Sequence, residues 1–361
     1  MTNRKSTPHA VVGGAGLGGM AAAIRLRGRG YRVTLVEANE QLGGRASVFK
    51  QDGYIFDAGP TVVTAPYLFD EVFESVGRKT TDYFETVPVD PFYRVDFADG
   101  SQFDYVGEED RILSQIEQFN MRDVDGYRRM ADHARRIFDI GYKELAHVPF
   151  DKLNEMLRII PTMIKLENYR SVYGLVSKYI KDERLRQVFT FQPLLIGGNP
   201  FNCSSIYMLI HWLERKWGVH YAKGGTTAIV NAMGQVMNEV GIDVRLNSPV
   251  TEISVENRKA RSVRLDSGAV IDCDLVVCNA DPSVVYTKLV ASKHRRYNTD
   301  FVVGLKKQSM SLFVIYFGTK KQYPDLKHHT IVLGPRYKHL LNDIFNKKVL
   351  ADDFSLYLHA P

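Results

Sequence analysis

His9-Ala10-Val11-Val12-Gly13-Gly14-Ala15-Gly16-Leu17-Gly18-Gly19-Met20-Ala21-Ala22-Ala23-Ile24 passes from a short apolar run through clustered glycines into an alanine-rich stretch. That order reads as strand, tight turn and helix. Within it, Gly14-x-Gly16-x-x-Gly19 fits a dinucleotide-binding fingerprint. Gly14 permits the tight turn, Gly16 lets the backbone approach a pyrophosphate, and Gly19 allows close packing of helix on strand. The helix N-terminus adds partial positive charge. A second strand, Arg32-Val33-Thr34-Leu35-Val36, ends at Glu37, whose carboxylate is placed to accept hydrogen bonds from ribose hydroxyls. The unit does not separate NAD from FAD, since both carry an adenosine ribose and a pyrophosphate.

Working outward, Leu42-Gly43-Gly44-Arg45-Ala46 follows the ribose acid, and Phe56-Asp57-Ala58-Gly59-Pro60-Thr61 comes soon after. Paired glycines before an arginine suit close backbone approach to a large planar or phosphorylated ligand with a cation beside it. A helix is expected over 65–76. A hairpin is expected from Phe92–Phe97 through Asp99-Gly100 to Phe103–Tyr105. Residues 108–240 read as mainly helical, with candidates at Tyr127–Ile140 and at Leu153–Leu166, the latter interrupted by Pro161. The second could lie in a membrane interface, but its pattern favours an ordinary surface helix packed on a core. Short strands return at 244–246, 250–255, 260–265 and 275–278.

The chain has 361 residues, enough for two or three domains with a sizeable core, and its 45% hydrophobic content excludes a disordered chain. Three cysteines (Cys203, Cys273, Cys278) exclude a disulfide framework, so a reducing compartment fits, and no metal-ligand set is read. Arg4 and Lys5 before an apolar run imitate an export signal, yet the glycine spacing explains that run better and no signal is read. No stretch approaches the ~18 apolar residues of a spanning helix. The net charge of +6 is uneven: residues 293–348 hold 12 Lys/Arg against 3 Asp/Glu. Such a segment suits anionic lipid, nucleic acid, a phosphate-bearing ligand or plain solvent.

The continuation through Gly44-Arg45 and Gly59-Pro60-Thr61 resembles flavoproteins of the amine oxidase and carotenoid desaturase superfamily. Phe191-Gln192-Pro193-Leu194-Leu195-Ile196-Gly197-Gly198-Asn199-Pro200-Phe201, continuing through Ser204–Tyr207 to Leu213–Val219, is more specific. It resembles the bacterial-type phytoene desaturase family, flavoenzymes that convert phytoene to lycopene or intermediates. The likeness extends to Pro88–Arg94, Asn279-Ala280-Asp281, Ser309–Gly318, Gly334–Tyr337 and Asp353–Pro361.

The resemblance implies an α/β fold in which a doubly wound FAD-binding domain carries an inserted, mostly helical α+β substrate domain. The expected divisions are 1–90 and 242–282 for the FAD part, and 91–241 and 283–361 for the substrate part. It implies FAD held by Gly14, Gly16, Gly19, Glu37, Gly44, Arg45, Gly59, Pro60, Thr61 and the backbone of Val250. Gly224-Gly225-Thr226 matches a loop that approaches the flavin ring, although Ala222 stands where the wider superfamily often has Pro. The implied substrate is a hydrophobic polyene, and the implied location is the cytoplasmic side of a membrane, attached peripherally. Lipid rather than nucleic acid is then the partner of the basic segment; no oligomeric state is implied. Relatives carry an acid near the start of the Leu153–Leu166 segment, and Asn154-Glu155 stands where they tend to have Arg-Asp. Glu155 is therefore the candidate proton acceptor, with Glu214 and His220 as further polar candidates. The expected activity is desaturation of phytoene toward lycopene. The alternatives are an oxidoreductase acting on a C30 or modified carotenoid, and a non-catalytic flavin- or polyene-binding protein. Relatives also continue past Phe354–Pro361 into a glycine-rich segment that closes the FAD site, so a fragment of a longer protein is expected.

Overall fold

The computed structural model describes residues 7–149 and 152–361, so Arg4 and Lys5 lie outside the described residues. The chain divides into two compact units, one built from 1–87 and 220–307, the other from 88–219 and 308–361.

In the first unit, β1 (His9–Gly13), α1 (Leu17–Gly28) and β2 (Arg32–Val36) form the expected strand, helix and strand. Leu275–Cys278, β1, β2 and Asp243–Arg245 lie side by side in one parallel sheet. Strands of such a sheet are apolar on both faces because both are covered. Ala10, Val12, Val33 and Leu35 pack with Met20 and Ile24 of α1 and with Ile229, Met233 and Val236 of the helix Thr226–Glu239. Val11 and Val36, on the opposite face, pack with Val263, Leu265 and Ile271. Those three belong to an antiparallel sheet of Val250–Glu256, Lys259–Leu265 and Val270–Asp272.

The boundaries of this unit differ from the expected ones. The chain rejoins it at His220 rather than at 242, because His220 exchanges backbone hydrogen bonds of 2.8 and 2.9 Å with Val63. It leaves after Lys307 rather than 282, since the turns at Val285–Leu289 pack on Val250–Glu256.

The second unit holds a four-stranded mixed sheet ordered Leu356–His359, His329–Leu333, Tyr93–Phe97, Gln102–Tyr105. The expected hairpin is present, with Tyr93 opposite Tyr105 and Gly100 at φ +82° in its turn. Helix Val124–Phe138 buries Tyr127, Met130, Ala134 and Ile137 and turns Arg128, Arg129, Arg135 and Arg136 outward, as 3.6 residues per turn requires.

Helix Leu153–Lys165 departs from expectation twice. It runs through Pro161 without a break, so the proline costs one backbone hydrogen bond rather than the helix. It also buries none of its residues: Leu153 is 75% exposed, Leu157 54% and Ile164 59%. Its apolar stripe therefore faces away from the core instead of packing on it. The Ser309–Gly318 run has no regular secondary structure, and Leu312 and Phe313 stand exposed. The three cysteines are free. Among the described residues no helix is long and apolar enough to cross a membrane.

Candidate functional site

The glycine turn of the first unit is built around backbone contacts that exclude side chains. Gly14 has φ +98°, and its N–H donates to the Val36 carbonyl at 2.8 Å, tying the turn to the end of β2. A Cβ on Gly19 would stand 1.9 Å from the Gly14 carbonyl oxygen, which is the close helix–strand approach expected of the third glycine. Glu37, 5% exposed, accepts from Ala15 N–H at 2.6 Å through Oε2 and from Asn39 N–H at 2.9 Å through Oε1. The acid thus fastens the glycine turn from below as well as standing at the end of β2.

The second glycine pair closes on the first. Gly43 N–H donates to Ala15 O at 2.9 Å, and a Cβ on Gly44 would lie 3.0 Å from Gly16 Cα. Arg45 is exposed beside this contact. Gly59 lies against the Arg45 carbonyl, where a Cβ would come within 1.8 Å. Pro60 accepts from the Thr226 hydroxyl. Thr61 is half-buried next in the chain, and Val250 packs beside Gly13. The structure therefore brings Gly14, Gly16, Gly19, Glu37, Gly44, Arg45, Gly59 and Pro60 into one continuous set of contacts, with Val250 flanking it.

Two residues were not assigned to the site from sequence. The Asn279 side chain lies over the start of α1, 2.9 and 2.7 Å from where Cβ atoms on Gly16 and Gly18 would stand, and the backbone N–H of Asn279 donates to Gly13 O at 2.8 Å. Its place directly after the strand Leu275–Cys278, and its membership of the Asn279-Ala280-Asp281 run, are the signals the sequence carries. Asp57 caps the helix that follows Gly224-Gly225, each carboxylate oxygen accepting from Thr226 N–H at 3.1 Å. The first N–H of that helix is thereby taken up by protein.

By contrast, α1 has no side-chain cap and no acidic residue in its first turn. Its leading N–H groups remain available to an anion, in a cradle that any Cβ at Gly16 or Gly44 would narrow. These residues fit a dinucleotide pyrophosphate with a ribose beside Glu37.

The polar candidates of the second unit separate into two environments. Glu155, in the first turn of Leu153–Lys165, sits 3.9 Å through Oε1 from Lys152 Nζ, while its shielded Oε2 has no hydrogen-bond partner. Glu214 is fully buried on helix Leu209–Trp217 among Tyr93, Tyr105 and Phe191. It accepts from Tyr93 Oη at 2.9 Å through Oε1, and Oε2 is unpartnered. Burial pushes its carboxyl up to about 8, with the Tyr93 hydrogen bond pulling the other way. One turn earlier, buried His211 meets Tyr105 Oη at 2.6 Å, and burial pulls its imidazole down to about 3. Burial thus favours the neutral form of both groups. His220, in the first unit, is fixed by its backbone, and its buried Nδ1 has no partner.

Residues 17–356 match the family of flavin containing amine oxidoreductases. The chain is 46% identical to a lycopene-forming phytoene desaturase of Pseudescherichia vulneris, over 97% of its own length and 71% of that protein. It is 45% identical to the lycopene-forming enzyme of Pantoea ananas, over 96% and 71%.

The chain belongs to the phytoene desaturase family, within the flavin containing amine oxidoreductases.

A neurosporene-forming phytoene desaturase of Rhodobacter capsulatus is 42% identical, over 99% of this chain and 69% of that protein. The chain thus spans about seven-tenths of the length of these desaturases. Among solved structures, an oxidoreductase from Methanosarcina mazei shares the fold at a TM-score of 0.59 and 18% identity, covering 83% of this chain and 65% of that one. A putrescine oxidase does so at 0.53 and 17%, covering 79% and 60%. The cofactor of this phytoene desaturase family member is FAD, and the glycine cradle, free α1 N-terminus and Glu37 are the features that accommodate its dinucleotide part.

Proposed function

We propose that this chain desaturates phytoene, or a closely related carotenoid precursor, toward lycopene at a membrane surface. The observation that carries the reading is the pairing of a built dinucleotide cradle with 45–46% identity to lycopene-forming desaturases along nearly the whole chain.

Bound flavin supplies the acceptor for a hydride leaving a saturated C–C unit. The protein's share is to orient that acceptor and to take the proton from the adjacent carbon. The backbone of Gly14–Gly19 and Gly44 holds the pyrophosphate, Glu37 the ribose, and Arg45 adds a cation beside them. Val250 flanks the nucleotide at Gly13. Glu155 is the proton acceptor: it lies in the first turn of an exposed apolar helix, and its shielded Oε2 has no hydrogen-bond partner. Glu214 is set apart from this role by its place, enclosed among Tyr93, Tyr105 and Phe191 and hydrogen-bonded to Tyr93 Oη.

A long polyene has no polar handle, so its affinity comes from apolar burial at about 25 cal/mol per Å². It dissolves only in a bilayer, and the enzyme must collect it there. The exposed Leu153, Leu157, Ile160 and Ile164 support attachment through their helix, with Lys152 and Lys165 at its ends for lipid phosphates. The test is purified chain with FAD and liposomes containing phytoene. Progressive red shift of the extracted pigment is expected; flavin bound with no new conjugation after prolonged incubation would overturn the reading.

A further inference from the structure

We propose that His328, His329 and His359 form a binding site for one divalent transition-metal ion of the zinc class. The antiparallel ladder between His329–Leu333 and Leu356–His359 sets His329 directly opposite His359, and His328 immediately precedes the first of these strands. One ring nitrogen from each histidine lies within 4.8 Å of the other two, the one such His/Cys/Asp/Glu group among the described residues. Nε2 of His359 and Nε2 of His328 are 3.2 Å apart. Tetrahedral zinc, with Zn–N bonds of about 2.0–2.1 Å, holds its ligand nitrogens roughly 3.3 Å from one another. Two of the three donors already stand at that edge length, and the third lies within 4.8 Å of both.

A second observation points to a ligand. His329 is fully buried, yet its Nε2 has no hydrogen-bond partner. A buried nitrogen left unmatched is destabilising unless a ligand takes it up. The other nitrogen, Nδ1, lies 2.7 Å from Tyr357 Oη. With Nδ1–H donating to that oxygen, the lone pair is on Nε2, which is how an outer partner fixes the tautomer of a ligating histidine. The His329 and His359 rings are stacked, 5.3 Å between centroids and 15° apart, so both are held in place. A single His328–His359 hydrogen bond explains two of the rings and leaves the His329 Nε2 idle. A cation employs all three.

Three neutral imidazoles with no carboxylate favour zinc, nickel, copper or cobalt over magnesium or calcium. Half-exposed His328 and His359 leave room for a water in a fourth position. The ion would clamp the edge strand Leu356–His359 to its neighbour, so it stabilises the sheet of the second unit by mass action.

The experiment uses the untagged chain, stripped with chelator and titrated with Zn²⁺ by calorimetry and with Co²⁺ by visible absorption. One ion per chain and the intense bands of four-coordinate cobalt are expected. His359→Ala, and separately half-exposed His328→Gln, should weaken binding roughly tenfold or more while circular dichroism confirms folding. His294→Ala, an exposed histidine of the first unit, should bind as the parent does. Uptake well below one ion per chain, or uptake unchanged in both folded variants, would overturn the assignment.

Discussion

The buried carboxyl of Glu214 makes the stability of the second unit depend on pH in a way that one substitution removes. In the native protein its pKa is raised from the ordinary 4.5 to about 8 by burial. Between those values the folded chain keeps a proton that the unfolded chain releases. Each pH unit in that window therefore costs the native state about 1.4 kcal/mol. The sign is fixed: stability is greatest below the unfolded value and falls as pH rises toward the folded one. From pH 5.5 to 7.5 the loss amounts to roughly 2–3 kcal/mol from this group alone.

Glu214→Gln keeps the shape and keeps an oxygen for the Tyr93 hydroxyl, but it cannot ionise. The variant should lack this part of the pH dependence, so its stability relative to the parent should climb by about 1.4 kcal/mol per pH unit across the window. Both tryptophans of the chain, Trp212 and Trp217, lie on the helix that carries Glu214. Urea unfolding followed by tryptophan fluorescence therefore reports on the relevant unit. Unfolding curves for parent and variant that shift in parallel with pH would refute the reasoning, because a solvated carboxylate behaves that way.

Three further outcomes are expected. Gly19→Ala places a methyl group 1.9 Å from the Gly14 carbonyl, so the turn must open; FAD affinity measured by flavin fluorescence should fall by at least tenfold, with the second unit's urea midpoint unchanged. Glu155→Gln should lower the rate of desaturation by about 10²-fold, the usual contribution of a positioned base, with flavin binding intact. Leu157→Glu with Ile164→Glu should reduce sedimentation with anionic liposomes by an order of magnitude or more, since each fully buried Leu or Ile contributes about 1.5–3 kcal/mol; equal sedimentation would separate the Leu153–Lys165 helix from membrane attachment.

The nucleotide cradle was legible because its determinants are local. A turn that needs φ +98° at Gly14, and a helix that approaches within 1.9 Å of a would-be Cβ at Gly19, leave their mark as glycine spacing within six residues. The same holds for the hairpin at Tyr93–Tyr105, where alternation and a glycine turn suffice. Features set by distant partners left no such mark. The neutral state of Glu214 depends on Tyr93, 121 residues away, and the Asn279 contact with α1 depends on strand order rather than on spacing.

The Leu153–Lys165 helix misled for a different reason. An apolar stripe at helical spacing states only that the face avoids water, not what covers it, and a protein core and a bilayer satisfy that condition equally well. In the structure no residue of the helix is buried, so its apolar stripe is not packed on a core of the described residues. The same logic makes Glu155 credible as a base, since it lies in the first turn of that helix with an unpartnered, shielded oxygen. A carboxylate on a fully solvated helix would have lost that advantage to water. The shielded, unpartnered oxygen on an exposed apolar helix, rather than its position in the sequence, is the physical argument for the role of Glu155.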